Sequence, residues 1–394
     1  MTADTAPTGR DRTRDRAGSR RPSVSFYVPA LYAGGAERAT ITLANGLADR
    51  GYDVDLVVSF TVGALREAVA ADVQVVSLPV PRLPFLGAGA SVPSLRRYLR
   101  AERPDVLFSA MTYANVVALL AGRAAGVETA VVPVEHTVFP YVTQLKDRVA
   151  TAMASRLYRR SEEIVAVSSG VAESVGKHAG VDDERLTVIY NPVLTDGVET
   201  DAAEPVSHPW FADPDLDVVL GAGRLEPVKG FETLLRAFSR VARARPNSRL
   251  VVLGEGGMHD RLHSLADGLG VSDVASFPGY VENPYRFMHR ASAFALSSVQ
   301  EGLPSVLIEA LACGCPVVAT DCRVGPREIL ADGAYGRLVP VGDATALADG
   351  LLATLDGPVD REALRARAAD FRADAVLDEY EALVARRAGY ASER

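Results

Sequence analysis

Short apolar runs of strand length alternate along this chain with segments whose apolar positions recur in helical period. Val24–Val28, Val54–Val58 and Val73–Val76 read as strands, bounded by polar and Gly-containing segments. Between the first two, Ile41, Ala44 and Leu47 fall on one face of a helix that runs to about Asp49, with Gly51 just past its end. The alternation then continues. Leu95–Arg100, Ala114–Ala125 and Gln144–Arg159 read as helices, and Asp105–Ser109, Ala130–Val134, Ile164–Val167 and Leu186–Ile189 as strands. Strands with no polar face, separated by amphipathic helices, predict a parallel sheet covered on both sides.

The pattern breaks over 191–217, a stretch rich in Asp, Glu, Pro and Gly without a clear period. A second series of the same kind begins at Val218–Leu220. It continues through strands near Leu250–Leu253, Val274–Phe277, Ala293–Leu296, Pro316–Ala319 and Arg337–Val339. The expected organisation is therefore a polar tail over 1–21, a first Rossmann-like doubly wound α/β domain over 22–196 and a linker over 197–216. A second such domain covers 217–372, and a last helix lies within 373–394. That helix either finishes the second domain or crosses back to the first.

Composition narrows the picture. With 394 residues, 48% of them apolar, two ordinary domains can each bury a core. A net charge of -8 argues against a nucleic-acid binder, and no nucleic acid is expected as a partner. Cys313, Cys315 and Cys322 are too few for a disulfide framework and read as small buried residues. The first 21 residues carry six Arg and three Asp and no apolar core, so they do not form a signal peptide. No apolar run reaches membrane-spanning length. The expectation is a cytoplasmic protein, with any membrane association peripheral, on the inner face of the cell membrane.

In open parallel sheets ligands bind beyond the carboxyl ends of the strands, and two such sheets facing each other form a cleft. After Val218–Leu220 comes Gly221-Ala222-Gly223-Arg224-Leu225-Glu226-Pro227-Val228-Lys229-Gly230, where Arg224 and Lys229 flank a turn. An Arg fork and a Lys point charge suit a diphosphate, although either can equally be an ordinary loop cation. After Ala293–Leu296 comes Ser297-Ser298-Val299-Gln300-Glu301-Gly302-Leu303-Pro304-Ser305-Val306-Leu307-Ile308-Glu309. Pro304 suits the first turn of a helix, and Gly302 admits a close ligand. Glu309 would then lie inside an apolar helix, where a carboxylate is costly unless hydroxyl groups or solvent meet it.

Glu301 and Glu309, eight positions apart with Gly302, Leu303 and Pro304 after the first, resemble the signature of the family-four retaining glycosyltransferases of the GT-B fold. Gly223–Gly230 resembles that family's phosphate-binding loop, and Gly34-Gly35-Ala36-Glu37 its N-terminal Gly-rich loop. The order agrees from about Ser23 to Leu383. The resemblance implies that Arg224 and Lys229 hold the donor diphosphate, that Glu309 accepts the ribose hydroxyls, and that Glu301 contacts the donor sugar. It implies that backbone N–H groups over Gly302, Leu303, Pro304 and Ser305 cover the sugar and phosphate. Gly34 and Gly35 would approach the diphosphate as the cleft closes, and Tyr280 with Gly279 would meet the base. His136, in Glu135-His136-Thr137, would lie near the transferred sugar or serve as a structural hydrogen-bonding residue. Asn191-Pro192 matches a family turn and is read as a hinge. Asn283–Met288 and Gly325–Leu330 resemble a subgroup that builds polysaccharides and lipid-linked glycans.

The implied donor is a nucleotide diphosphate sugar, UDP-sugar favoured, carrying a hexose or N-acetylhexosamine. The implied mechanism is same-face attack through an oxocarbenium-like state, with Arg224, Lys229, Glu301 and His136 as its principal residues. No cofactor and no metal are expected, since Asp213, Asp215 and Asp217 fall in the linker and Asp53 and Asp55 open a strand. A glycan or lipid-linked acceptor is expected on the first domain. Over 144–160, Lys146, Arg148, Arg156, Arg159 and Arg160 accompany a stripe of Leu145, Val149, Met153 and Leu157. Such a helix either packs by its stripe or lies on an anionic membrane surface, near the apolar loop Pro81–Gly87. The competing readings are a transferase for a small soluble acceptor, a non-catalytic nucleotide-sugar-binding partner, and a sugar-nucleotide epimerase.

Overall fold

The computed structural model describes residues 22–32, 34–80, 90–140 and 145–389; the tail 1–21 and the loop Pro81–Gly87 lie outside them. The chain divides into two compact units, one formed by the residues up to Pro192 together with those from Ala373 onward, the other by Val193–Arg372.

The first unit contains strands β1 (Ser23–Val28), β2 (Asp53–Val58), β3 (Gln74–Ser77), β4 (Val106–Ala110), β5 (Ala130–Glu135), β6 (Ile164–Ala166) and β7 (Leu186–Val188). They form one sheet in the order β3-β2-β1-β4-β5-β6-β7 with every neighbouring pair parallel. All residues of the central strands β1 and β4 are buried, as expected of strands covered on both faces. Its helices include α1 (Gly35–Asp49), α2 (Val92–Glu102), α3 (Thr112–Ala125), α4 (Leu145–Tyr158) and α5 (Ser169–Val175).

The second unit contains β8 (Asp217–Ala222), β9 (Ser248–Leu253), β10 (Ala275–Gly279), β11 (Ala293–Leu296), β12 (Val317–Thr320) and β13 (Arg337–Val339). The order is β10-β9-β8-β11-β12-β13, again parallel throughout. Its helices are α6 (Val198–Ala203), α7 (Phe231–Ala244), α8 (His259–Leu269), α9 (Tyr285–Arg290), α10 (Ser305–Ala312), α11 (Pro326–Ile329), α12 (Ala344–Leu355) and α13 (Arg361–Ala368). Leu234, Leu235, Phe238 and Val241 of α7 are buried at helical spacing in a core shared with Leu250, Val252 and Leu351.

The segment 197–216, expected as a linker, is instead a folded part of the second unit. Asn283 donates to the Asp201 carbonyl (2.8 Å), so α6 is bonded to the start of α9. Phe211 packs edge-on against Phe287 of α9 at 5.3 Å, and His208 Nε2 lies 3.1 Å from Ser276 Oγ of β10. The polar composition that suggested a linker reflects a surface layer with few apolar anchors, and those anchors carry the contact.

The last helix, α14 (Ala373–Ala388), belongs to the first unit. Val376, Leu377, Tyr380, Leu383 and Val384 are buried, and the Tyr380 ring meets Phe108 of β4 at 5.1 Å. Gly46 of α1 faces Leu377 so closely that a β-carbon there would lie 2.4 Å from its Cδ1. At the rim, Arg50 reaches Asp378 (2.7 Å) and Glu381 (2.6 Å).

Candidate active site

In the second unit the carboxyl ends of β8 and β11 carry the expected cationic and acidic residues, and the two loops are laced together. Lys229 Nζ lies 2.6 Å from Glu301 Oε1, and Ser298 Oγ donates to the same oxygen at 2.6 Å. Val299 N donates to Val228 O at 2.8 Å, and Ser297 Oγ to Lys229 O at 2.9 Å. The backbone before α7 must therefore pass close to β11. Gly230 makes this possible: its φ is 66°, and a β-carbon would lie 2.0 Å from Ser297 O. Thr320 Oγ1 (2.6 Å) and Cys322 Sγ (3.0 Å) both reach Ser298 O, so the start of the β12 loop holds the β11 loop from behind.

The Lys229 and Glu301 side chains are only 19% and 10% exposed, whereas Arg224 is 63% exposed and pairs with Glu226 at 2.8 Å. A half-buried pair at a strand mouth keeps a cation ordered without neutralising it permanently. An entering anion can replace the carboxylate as partner of Lys229, and Arg224, exposed and paired with Glu226, stands on the same loop. Glu309 sits on α10, half-buried, with Leu307, Ile308, Ala310 and Leu311 buried around it. Gly302, Leu303 and Pro304 are buried and Ser305 is half-buried. α10 begins at Ser305, so Pro304 caps the helix instead of occupying its first turn. Tyr280 is 56% exposed just beyond Gly279, at the end of β10. The structure thus gathers Lys229 and Glu301 directly, and places Arg224, Glu309 and Gly302–Ser305 on the same two loops and the helix that follows. Tyr280 stands on the loop after the edge strand β10.

In the first unit, Gly34 caps α1 and Gly35 is its first residue. A β-carbon at Gly34 would lie 2.3 Å from Glu37 Oε2, the end of a flexible side chain that could turn aside. At Gly35 a β-carbon would meet nothing within 4 Å, so the bare backbone there is not explained by packing.

His136 follows β5. Together with Phe26, Ser109, Ala110, Val134 and Tyr380 it lines a cavity of about 10 Å³, room for one water. The residue as a whole is half-buried, and Nδ1 is buried without a hydrogen-bond partner among the described residues. Burial pushes its pKa down to about 4, opposed by a hydrogen bond with the Asn191 side chain. At neutral pH it is an uncharged imidazole.

Three features escaped the sequence reading. Asn191, read as a hinge, holds His136. Met111, just after β4, has φ 81° and ψ 145°, a region almost confined to glycine. Glu135, 1% exposed, accepts hydrogen bonds from Tyr158 Oη, Thr112 Oγ1 (3.2 Å) and Asn115 Nδ2 (3.3 Å). A carboxylate ending an apolar strand was a visible signal for the last; the other two had none.

On α4 the expected stripe splits. Leu157 is buried, with Ala150, Ala154 and Tyr158, whereas Val149 is 60% and Met153 39% exposed, beside exposed Arg148 and Arg156. Among the described residues, no helix is long and apolar enough to cross a membrane.

Two parallel-sheet Rossmann-like units in tandem form the GT-B architecture. The family profile described as Glycosyltransferase Family 4 matches residues 33–196, and that described as Glycosyl transferases group 1 matches residues 207–371. The chain belongs to the family-four glycosyltransferases. It is 28% identical to the N-acetylgalactosamine-N,N'-diacetylbacillosaminyl-diphospho-undecaprenol 4-alpha-N-acetylgalactosaminyltransferase of Campylobacter jejuni, over 88% of this chain and 93% of that one. It is 29% identical to the lipopolysaccharide core biosynthesis glycosyltransferase LpsE of Rhizobium meliloti, over 89% and 96%. Its fold resembles that of Anabaena HepE solved in complex with UDP, with a TM-score of 0.77, 22% identity and coverage of 92% and 100%.

Proposed function

We propose that the protein is a retaining, metal-independent glycosyltransferase. It moves a hexose or N-acetylhexosamine from a UDP-sugar to a glycan or lipid-linked acceptor in surface polysaccharide or glycoconjugate synthesis. The observation that carries the donor half is the Lys229–Glu301 pair at the mouths of β8 and β11, with Arg224 exposed on the same loop. In the proposed mechanism Lys229 exchanges Glu301 for the diphosphate, and Arg224 adds a second cation. Both stabilise the charge that grows on the leaving group as the glycosidic bond breaks. Glu301, released from Lys229 but still held by Ser298, accepts hydrogen bonds from sugar hydroxyls, and Glu309 accepts those of the ribose. The departing diphosphate takes the acceptor proton on the face from which it leaves. His136, neutral, orients the transferred sugar as a hydrogen-bonding group and does not act as an acid.

The acceptor half rests on the relatives, one of which is named for undecaprenol-linked glycan transfer and one for lipopolysaccharide core synthesis. The outward face of α4 supports a peripheral contact with an anionic leaflet: Val149 and Met153 are exposed between arginines, where a packed helix would bury them. Thermal shift and donor hydrolysis with UDP- and GDP-sugars, in the presence of EDTA, test the donor reading. Stabilisation by UDP-sugars that is lost in Glu309→Ala is the expected result, and binding unaffected by that substitution would overturn the site. Co-sedimentation with phosphatidylglycerol vesicles at low salt tests α4, with Val149→Glu/Met153→Glu expected to abolish it.

A further inference from the structure

Glu135 is a buried carboxylate that the proposed chemistry does not use. Its side chain points to the face of the sheet covered by α3 and α4, opposite to Val134 and His136, as alternation along a strand requires. There it closes a network that spans four elements. Ser109 of β4 donates to Asn115 Oδ1 (2.8 Å), and Asn115 of α3 donates to Tyr158 Oη (2.9 Å) and to Val134 O (3.0 Å). Tyr158, the last residue of α4, donates to Glu135 Oε1, and Thr112, the first residue of α3, donates to Oε2. Every donor is neutral, and no cation pairs with Glu135 among the described residues. A fold seeking stability alone would place an apolar side chain here, since a buried carboxyl group without a counter-ion is costly.

Two further observations lie at the same end of the same strands. Met111, between β4 and Thr112, holds a backbone conformation that costs about 1–3 kcal/mol for a residue with a side chain. His136 keeps a buried ring nitrogen without a partner among the described residues. Strain and an unpartnered polar atom together at the carboxyl ends of adjacent parallel strands mark a functional pole.

We propose that Glu135 is a positioning residue for the first unit's part of the reaction. Its carboxyl group locks the end of β5 and the start of α3 to Tyr158 of α4, and so fixes the peptide that carries His136 and the Met111–Thr112 turn. This rests on the reading of His136 as the sugar-orienting group. It also makes α4, whose outer face is assigned to the acceptor surface, the element that sets the His136 ring.

The test uses the full chain labelled with ¹³Cε1-histidine. The chain has six histidines, and His136 is assigned from the signal lost in His136→Gln. Tyr158→Phe and Glu135→Leu are expected to shift the His136 resonance while the other five stay in place, and Glu135→Gln, which keeps an acceptor for Tyr158, is expected to restore it. In turnover with the UDP-sugar selected by donor profiling, Tyr158→Phe is expected to lower kcat roughly 10- to 100-fold with donor KM unchanged. A His136 resonance unmoved in Tyr158→Phe would overturn the proposal, as would equal shifts in all six. If the resonance shifts but His136→Gln itself leaves kcat unchanged, the network stands as geometry and the reading of His136 fails instead. Should Glu135→Leu not fold, Tyr158→Phe alone decides.

Discussion

Glu135 and His136 are adjacent in sequence, lie on opposite faces of the sheet, and are displaced in opposite directions by the same cause. Burial raises Glu135 from 4.5 to about 7 and lowers His136 from 6.5 to about 4. Each displacement corresponds to about 3 kcal/mol, taking ~1.4 kcal/mol per pH unit. A raised carboxyl contributes stability that is complete below pH 4.5 and lost as pH climbs through 7. A depressed imidazole contributes stability that is complete above pH 6.5 and lost as pH drops through 4. Between about 4.5 and 6.5 the two therefore cancel: folding takes a proton from one side chain and gives one to the other, and both end neutral. Single substitutions uncover the hidden slopes. In Glu135→Gln the first unit should lose about 3 kcal/mol relative to its neutral-pH stability on acidification from 6.5 to 4. In His136→Gln it should lose a similar amount as pH rises from 4.5 to 7. Subtracting the wild-type profile removes the other carboxylates. Because the chain has two units, the assay must read the first one, and denaturant-dependent hydrogen exchange of the β5 amides does so. Difference profiles of the same sign, or both flat, would refute the assignment of opposed buried groups.

Other consequences are simpler to read. Lys229→Met leaves Glu301 half-buried without its cation, so the second unit should lose roughly 1–3 kcal/mol, monitored through the fluorescence of Trp210, the chain's one tryptophan, while UDP binding weakens at least tenfold. Gly230→Ala combines a left-handed φ with a β-carbon 2.0 Å from Ser297 O and should cost several kcal/mol, on the order of 3, in a urea melt followed by the same signal. Gly35→Ala meets open space at the start of α1 and should leave stability within ~0.5 kcal/mol of wild type, yet lower turnover; a variant with full activity would remove Gly35 from the site.

The strands were legible because a sheet buried on both faces admits almost nothing but apolar residues; Ala293–Leu296 and Arg337–Val339 coincide with β11 and β13. The pairing of charges past β8 and β11 was legible because Arg224, Lys229 and Glu301 stand just beyond strand-length apolar runs. What sequence could not show was which partner each charge has in the folded chain. Arg224 and Lys229 look alike on paper, yet one is exposed against Glu226 and the other half-buried against Glu301. The first unit's network was illegible for the same reason. Ser109, Asn115, Glu135 and Tyr158 are scattered over 50 positions and become one network only through packing of β4, β5, α3 and α4. The stripe on α4 misled because Leu157 and Met153 share a period but not an environment: Ala150, Ala154, Leu157 and Tyr158 form the buried side of α4, which packs against α3 among others.

The return of α14 has a consequence in time. During synthesis the second unit is contiguous and can close as soon as Arg372 emerges. The first unit must wait, because Gly46, Arg50 and Phe108 gain their contacts with Leu377, Glu381 and Tyr380 only when α14 arrives. The part made first is thus the part completed last, reversing the usual order in which nascent domains fold. Until then its nascent form exposes the apolar groove between α1 and β4. A nascent chain arrested just short of Ala373 should therefore present a folded C-terminal unit beside an N-terminal unit that proteases and chaperones still recognise.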